Sequence, residues 1–525
     1  MSRIVSEMEE QGIPLLNGSD HNGTSSKTSF EAEQRGIPDT TNGGYEHATP
    51  QSISLPSQSK KTWLSSWSID PWAVVPRYVQ PGGRKKYEQR RSPTSYLDAL
   101  RGYAAVFVYI YHFWDLPEPS FFHWPLIRVP WVGGAGMVAV FFVISGYVLS
   151  YRLVKLIRMQ ESARLLDSLA SSIFRRYLRL YLSTAFATHL SAWCIYFGWL
   201  LGPFTDLRLS SLPAQLWAWF QDTIATSNPF ANIEGWIHDG VFFPHYLGQM
   251  WTIPVEYRGS IIIFVFCAAA CKMTTRCRMV FAWIIIALSY YWRVAYVVEF
   301  VFGTFLAELS LVLHPERHGL QNPSLAPAFA SANTNATTAT NDTINEKHNQ
   351  RNGSGEIPPP SPRALTRVTS YLLLAIGLFL LGQPDPPALG STGPWPWQYL
   401  YRVIPSWYGD AAYTFWPSIA ACCSVLAIDL NPTLQRPFEW SFSQYIGDLS
   451  FGMYAMHVIL LYSVYQQTIL VWQVTYLGDS TLAFLPGALA ITLLLIWVAD
   501  YFARVDKIIV HFGRWLQAKS FVKWE

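Results

Sequence analysis

LDALRGYAAVFVYIYHFW, Leu97–Trp114, is the stretch whose reading decides the fold. Its hydropathy is that of a membrane helix, yet it carries Asp98, Arg101 and His112. Arg101 and His112 are close to three helical turns apart, about 16.5 Å of rise, so they share a face. Asp98 lies one turn before Arg101, within side-chain reach on that side. Asp98 and Arg101 read either as interfacial anchors or as a buried ion pair. An ionisable side chain deep in a span is costly and by default marks a site or pathway. His112 is therefore either such a site or a packing residue among Tyr109, Tyr111 and Trp114.

The rest of the chain fits a membrane setting. Of 525 residues, 50% are hydrophobic and only 14% charged, with a mean hydropathy of +0.16, whereas soluble domains average about 25% charged. The net charge of +3 and the placement of basic residues in short clusters beside apolar runs argue against nucleic acid. The six cysteines, Cys194, Cys267, Cys271, Cys277, Cys422 and Cys423, have no metal-ligand spacing and read as packing residues rather than a disulfide framework. Residues 1–92 contain no signal-peptide stretch and read as a disordered polar tail. Residues 315–367, with SANTNATTATNDTINEKHNQRNGSG and PPPSP, read as a low-complexity loop.

Apolar runs long enough to cross about 30 Å of hydrocarbon fall at 97–114, 135–155, 177–201, 249–271, 279–298, 299–314, 369–383, 411–430, 448–470 and 484–504. The expected fold is an all-α polytopic membrane protein, a bundle of about ten transmembrane helices. Lys and Arg alternate between the connections: Arg84, Lys85, Lys86, Arg90 and Arg91 precede the first span, and only Arg128 follows it. Arg152 to Arg179 form the next basic stretch, and Arg208 stands alone in the long connection after that. The positive-inside rule then puts both termini, the 315–367 loop and the tail at 505–525 in the cytosol, with a membrane domain over 93–504. The sequons at Asn17, Asn22, Asn335, Asn341 and Asn352 all fall on cytosolic segments, where they are not glycosylated.

LDALRGYAAVFVYIYHF resembles the first-helix signature of the acyltransferase 3 family of integral-membrane enzymes, an Arg followed by ten residues and a His. GGAGMVAVFFVISGYVLS (Gly133–Ser150), FRRYLRL (Phe174–Leu180), QMWTIPVEYRGS (Gln249–Ser260), FVFGTFLAE (Phe300–Glu308) and IGDLSFGMYAMH (Ile446–His457) are similar to its later motifs, in the same order. The resemblance covers about 97–504 and is of a eukaryotic, fungal-like kind. It departs from the family at Pro254, which threatens the helix before Glu256, at the 315–367 insertion, and in having no hydrolase-like extension after the last span.

The resemblance implies an O-acyltransferase that uses acyl-CoA, commonly acetyl-CoA, as co-substrate with no bound cofactor or metal. His112 is the implied base, with Arg101 as its motif partner. A neutral imidazole suits both direct transfer and an acyl-histidine intermediate. Arg175, Arg176 and Arg179 read either as cytosolic anchors or, with the family, as ligands of the coenzyme A phosphates. Glu256 reads as the carboxylate that orients His112 or as a partner of Arg258. His457 reads as a core residue or a site residue, and His123, His189, His238 and His245 have weaker claims. Ser145 and Gly146 read as residues of close helix approach. The expected partners are acyl-CoA, a hydroxyl-bearing small molecule such as a specialised (secondary) metabolite, and the lipid bilayer. A lumenal glycan acceptor and a transporter are the alternatives, although a transporter with two related halves finds no internal repeat here.

Overall fold

The computed structural model describes residues 71–88, 92–113, 124, 127–229, 244–320, 364–384, 395–478 and 480–522. Trp114, His123, Trp236, His238, the five sequon asparagines and most of the 315–367 loop lie outside the described residues. Those described are helical, with no strand among them. The long helices are α1 Ser95–Phe113, α2 Gly134–Arg158, α3 Ser162–Tyr196, α4 Thr252–Ala269, α5 Thr275–Tyr291, α6 Ala295–Leu313, α7 Ala364–Leu381, α8 Ala412–Leu430, α9 Ser441–Leu460 and α10 Thr481–Ser520. The apolar runs read from the sequence fall on these helices, except that 279–298 crosses the turn between α5 and α6, and 177–201 and 448–470 extend past the ends of α3 and α9. Among the described residues, five helical stretches, Gly134–Arg158, Gly248–Ala269, Ala295–Leu313, Ala412–Leu430 and Leu482–Ser520, are long and apolar enough to cross a membrane.

Two crossings hold the centre together. On α1, a Cβ at Gly102 would lie 2.6 Å from the Gly447 backbone nitrogen, and one at Gly447 would lie 2.5 Å from the Asp98 carbonyl oxygen. Side chains any larger would push α1 and α9 apart. The α2–α6 crossing has the same character, since a Cβ at Gly146 would lie 2.0 Å from the Phe300 carbonyl oxygen. Gly146 thus serves the close approach expected of it. The end of the bundle at which α1 begins, here the basal end, is clamped by Glu308, which accepts from Arg278 Nη2 at 2.8 Å and Arg158 Nη1 at 3.4 Å. All three groups are largely buried, as charges are when they are paired.

Four details differ from the sequence reading. The break between the fifth and sixth spans falls at 292–294, where Arg293 takes φ 62° and ends α5. The apolar run resumes at Val294, and the sequence reading carries the fifth span past Arg293 to residue 298. Pro254 does not break a helix. It sits in the first turn of α4, after a 3₁₀ turn at Gly248–Trp251, where a backbone N–H has no intrahelical acceptor to lose. After Leu460 the ninth helix passes into π-helix over Leu461–Ile469. Residues 505–520 continue α10, whose 40 residues span about 60 Å.

The end of the expected polar tail is ordered. Gly83–Glu88 is helical, and Arg77 donates from Nε to Asp500 Oδ1 at 2.8 Å and from Nη1 to Asp448 Oδ2 at 2.9 Å. Trp497 Nε1 and Arg504 Nη2 donate to the carbonyls of Val74 and Val75. Asp500 is fully buried, and its charge is met by Arg77 of this strap together with Arg504 one turn along α10.

At the apical end, the connection from α3 to α4 contains a helix, Leu212–Thr226, capped by Ser211 Oγ accepting from the Ala214 N–H at 3.4 Å. It docks on α3 through Trp219 Nε1–H, which donates to Thr188 Oγ1 at 3.0 Å.

Candidate active site

A cavity of about 150 Å³ lies among α1, α2, α3, α4, α9 and α10. Its polar lining brings together Arg101, Arg176, Arg179 and Glu256, four of the residues singled out in the sequence, and adds Ser145, Ser450, Tyr454 and Asp506. Val138, Phe141, Phe142 and Ile144 of α2 give it one apolar wall.

Each charged group is placed by a neighbour on another helix. Arg101 Nε donates to Ser450 Oγ at 3.1 Å, across the α1–α9 crossing that Gly102 and Gly447 allow. The Asp98–Arg101 pair is present but long, 3.7 Å, with Asp98 about half exposed. Ser450 therefore sets the guanidinium more than Asp98 does, because an exposed ion pair contributes little. Arg176 Nη2 donates to Glu256 Oε1 at 2.7 Å and its Nε donates to Ser260 Oγ at 2.9 Å. Ser145 Oγ also donates to Glu256 Oε1, at 3.3 Å. The carboxylate of Glu256 is thus engaged by Arg176 and Ser145, neither of which the sequence reading had paired with it. Arg258, the alternative partner, donates from Nε to the Pro229 carbonyl at 2.6 Å.

His112 is not among the cavity-lining residues. It stands on the last turn of α1 against His457 of α9, ring centroids 5.2 Å apart. His457 lies one turn beyond Tyr454, whose ring is 6.0 Å from it. Tyr454 itself lines the cavity, and its hydroxyl bonds Thr252 Oγ1 at 2.7 Å and the Gln249 carbonyl. Tyr454 and the start of α4 thus stand between the cavity and the histidine pair.

His457 is fully buried. Its Nδ1–H donates to the Met453 carbonyl at 3.2 Å, which leaves Nε2 as an acceptor. That atom has no hydrogen-bond partner among the described residues.

Arg175, one turn basal of Arg179 and outside the apolar stretch of α3, donates to the Ser171 carbonyl. Its guanidinium is held below its ordinary value, first by burial and then by the like charges of Arg514, Arg152 and Arg179. His189 is set apart from this site: its Nε2 accepts from Trp193 Nε1 at 3.0 Å, and its ring packs on Trp219. His245 is apical and pairs with Asp222.

Ser450, Asp506 and Tyr454 were not singled out in the sequence for this site. They come from helices far along the chain from α1, and nothing in local spacing links them to Arg101.

The chain belongs to the acyltransferase 3 family: residues 94–503 match the model of its acyltransferase domain. It is 28% identical over 399 residues to O-acetyltransferase PaAT-1 of Phomopsis amygdali, covering 70% of this chain and 72% of that one. It is 22% identical over 431 residues to Acyltransferase R4 of Phoma sp., covering 71% and 83% of the two chains. No solved structure matches it. The protein is a membrane acyltransferase, as the first-helix signature implied.

Proposed function

We propose that this chain transfers an acyl group, acetyl foremost, from acyl-CoA to a hydroxyl of a hydrophobic small molecule such as a specialised metabolite. The observation that carries the reading is the single cavity that gathers Arg101, Arg176, Arg179 and Glu256 and ends at Tyr454, one turn short of the His112–His457 pair. The name of the Phomopsis relative supports acetyl as the group and oxygen as the acceptor atom. The apolar wall formed by α2 supports a hydrophobic alcohol.

In this reading the basal end faces the cytosol, and the ten long helices cross the membrane with both termini on that side. The alternation of Lys and Arg between connections supports this topology, as does the clustering of Arg152, Arg158, Arg175 and Arg278 at one end. Coenzyme A phosphates bind near the arginines at the basal mouth, and the pantetheine arm reaches along the cavity. The 16 Å or so between Arg101 and His112 along α1 is of the order of that arm's length.

The alcohol oxygen attacks the thioester carbonyl carbon while His112 takes the hydroxyl proton. The tetrahedral adduct collapses with cleavage of the C–S bond, and the departing thiolate recovers the proton from the imidazolium. The products are the ester and free coenzyme A, with no net proton change. His457, fixed through Nδ1 to Met453, packs against the His112 ring and holds its orientation. Glu256 acts through Arg176: it fixes the guanidinium and balances its charge in the cavity wall.

The test is thiol release from acetyl-CoA by the purified chain, with and without a mixture of candidate alcohols, and product detection by mass. Alcohol-dependent thiol release matched by a product 42 mass units heavier than an alcohol, the increment of one acetyl group, supports the reading. Transfer from a non-CoA donor alone, or movement of a labelled alcohol across vesicles without acylation, overturns it.

A further inference from the structure

α10 is 40 residues long and α3 is 35, so each far exceeds the roughly 20 residues that cross a bilayer. Their basal extensions run antiparallel and in contact. Phe186 meets Phe502 with ring centroids 5.7 Å apart, and Ser183 Oγ donates to Asp506 Oδ1 at 2.6 Å. Further out, Ser171 Oγ donates to Gln517 Oε1 at 3.1 Å, and Phe174 meets Phe521 at 5.3 Å. From Phe186–Phe502 to Ser171–Gln517, steps back along α3 are matched within one residue by steps forward along α10. That register sets Arg514, one turn before Gln517, opposite Arg175, one turn after Ser171.

Two more arginines join them. Arg179 is a turn further in and lines the cavity. Arg152 lies on α2 one turn basal of Val148 and Leu149, which also line it. The like charges that act on Arg175 are those of Arg514, Arg152 and Arg179. Guanidinium groups stay protonated at neutral pH, so four positive charges converge at the mouth. Neighbouring arginines have carboxylates: Arg176 pairs with Glu256, and Arg164 pairs with Glu161 at 2.8 Å. Among the described residues, none of the four at the mouth has a carboxylate partner. Asp506, the nearby acid on α10, accepts from Ser183 instead. A cluster of this kind is organised for an anion of several charges.

The order of groups along acyl-CoA assigns the arginines. The thioester lies deepest, the diphosphate follows at the far end of pantetheine, and the 3′-phosphate of the adenosine comes last. We infer that Arg175 and Arg179 bind the diphosphate, and that Arg514 of the α10 extension, with Arg152, binds the 3′-phosphate at the outer rim. This assignment rests on the acyl-CoA reading above and deepens it: the C-terminal extension of α10 becomes part of the donor site and makes the enzyme selective for coenzyme A over donors that lack the 3′-phosphate.

The experiment compares KM for acetyl-CoA and for 3′-dephospho-acetyl-CoA in the full-length chain and in Arg514→Ala, Arg514→Lys and Arg164→Ala. The intact chain is expected to favour acetyl-CoA by about tenfold in KM, the worth of one charge-assisted phosphate contact. Arg514→Ala lowers that ratio to about twofold, Arg514→Lys keeps most of it, and Arg164→Ala, which removes a basal arginine outside the cluster, keeps all of it. Binding of adenosine 3′,5′-bisphosphate weakens in parallel in Arg514→Ala. Equal KM values for the two donors in the intact chain, or an unchanged ratio in Arg514→Ala, overturn the assignment while acyl transfer from acetyl-CoA stands. The second result is what an arginine facing anionic lipid headgroups would give. No turnover of either donor by the intact chain overturns the acyl-CoA reading itself, and this assignment with it.

Discussion

The imidazole rings of His112 and His457 lie 5.2 Å apart and inclined by 30°, although the two residues stand on helices at opposite ends of the sequence. The contact follows from the close crossing of α1 and α9, and the two rings are held differently within it. His457 is anchored through Nδ1 to Met453, while His112 is held by ring contacts with Tyr111 and His457. Replacing His457 by Asn should keep the packing and remove the ring. The expected result is a fall in kcat of about tenfold or more with little change in KM for acetyl-CoA, since a misoriented base loses part of the 10²–10⁴ that general-base catalysis supplies. An increase in KM alone would assign His457 to donor binding instead.

Arg176 and Glu256 form a pair that is mostly withdrawn from solvent, with side-chain exposures of 10% and 25%. Removing one partner leaves the other uncompensated, so Arg176→Met and Glu256→Gln should each destabilise by about 2–4 kcal/mol. The double variant should recover part of that loss. Thermal unfolding in detergent measures all four proteins, and strictly additive losses would mean that the pair is not coupled.

The α1–α9 crossing predicts a contrast between two glycines. At Gly447 a Cβ would stand 2.5 Å from the Asp98 carbonyl oxygen, so Gly447→Ala should cost about 1–3 kcal/mol by overpacking and lower acyl transfer by moving Arg101 relative to Ser450. At Gly513, in the α10 extension, a Cβ meets nothing within 4 Å. Gly513→Ala should be neutral or stabilise by up to about 1 kcal/mol through helix propensity. Comparable losses at both positions would argue against the crossing as drawn.

His245 Nδ1 donates to Asp222 Oδ1 at 2.7 Å, and that bond raises the histidine above its ordinary value against the opposing effect of burial. The folded state therefore favours the protonated ring. Its contribution is complete below the unfolded value of about 6.5 and is lost as pH rises through the folded value. Amide exchange at 222–226 and 244–247, corrected for intrinsic rates, should quicken as pH rises above about 6.5. Asp222→Asn should abolish that step, and its persistence there would exclude this pair as the cause.

Much of the architecture was readable because membrane helices announce themselves by continuous apolarity. Arg101 and His112 stood out because they interrupt one such run on a shared face. What stayed hidden was set by contacts distant in the chain. Arg176 and Glu256 are 80 positions apart, so the sequence offered Arg258 and His112 as partners for Glu256 and gave no sign of Arg176. The strap at 72–88 is polar and was read as tail. Its order comes from Arg77 reaching Asp500, 423 positions away. Pro254 was misread because its effect depends on where α4 begins, and the break at Arg293 was misplaced because apolar residues on both sides of it let the fifth run be carried on to residue 298.

The most direct test of the central claim is transfer of labelled acetyl from acetyl-CoA to an accepted alcohol by the intact chain and by His112→Ala, with both proteins matched for thermal stability and for binding of adenosine 3′,5′-bisphosphate. The account predicts that transfer falls by about 10²–10⁴ in His112→Ala while nucleotide binding is retained. Transfer within about twofold of the intact chain, with binding unchanged, would show that His112 is not the base.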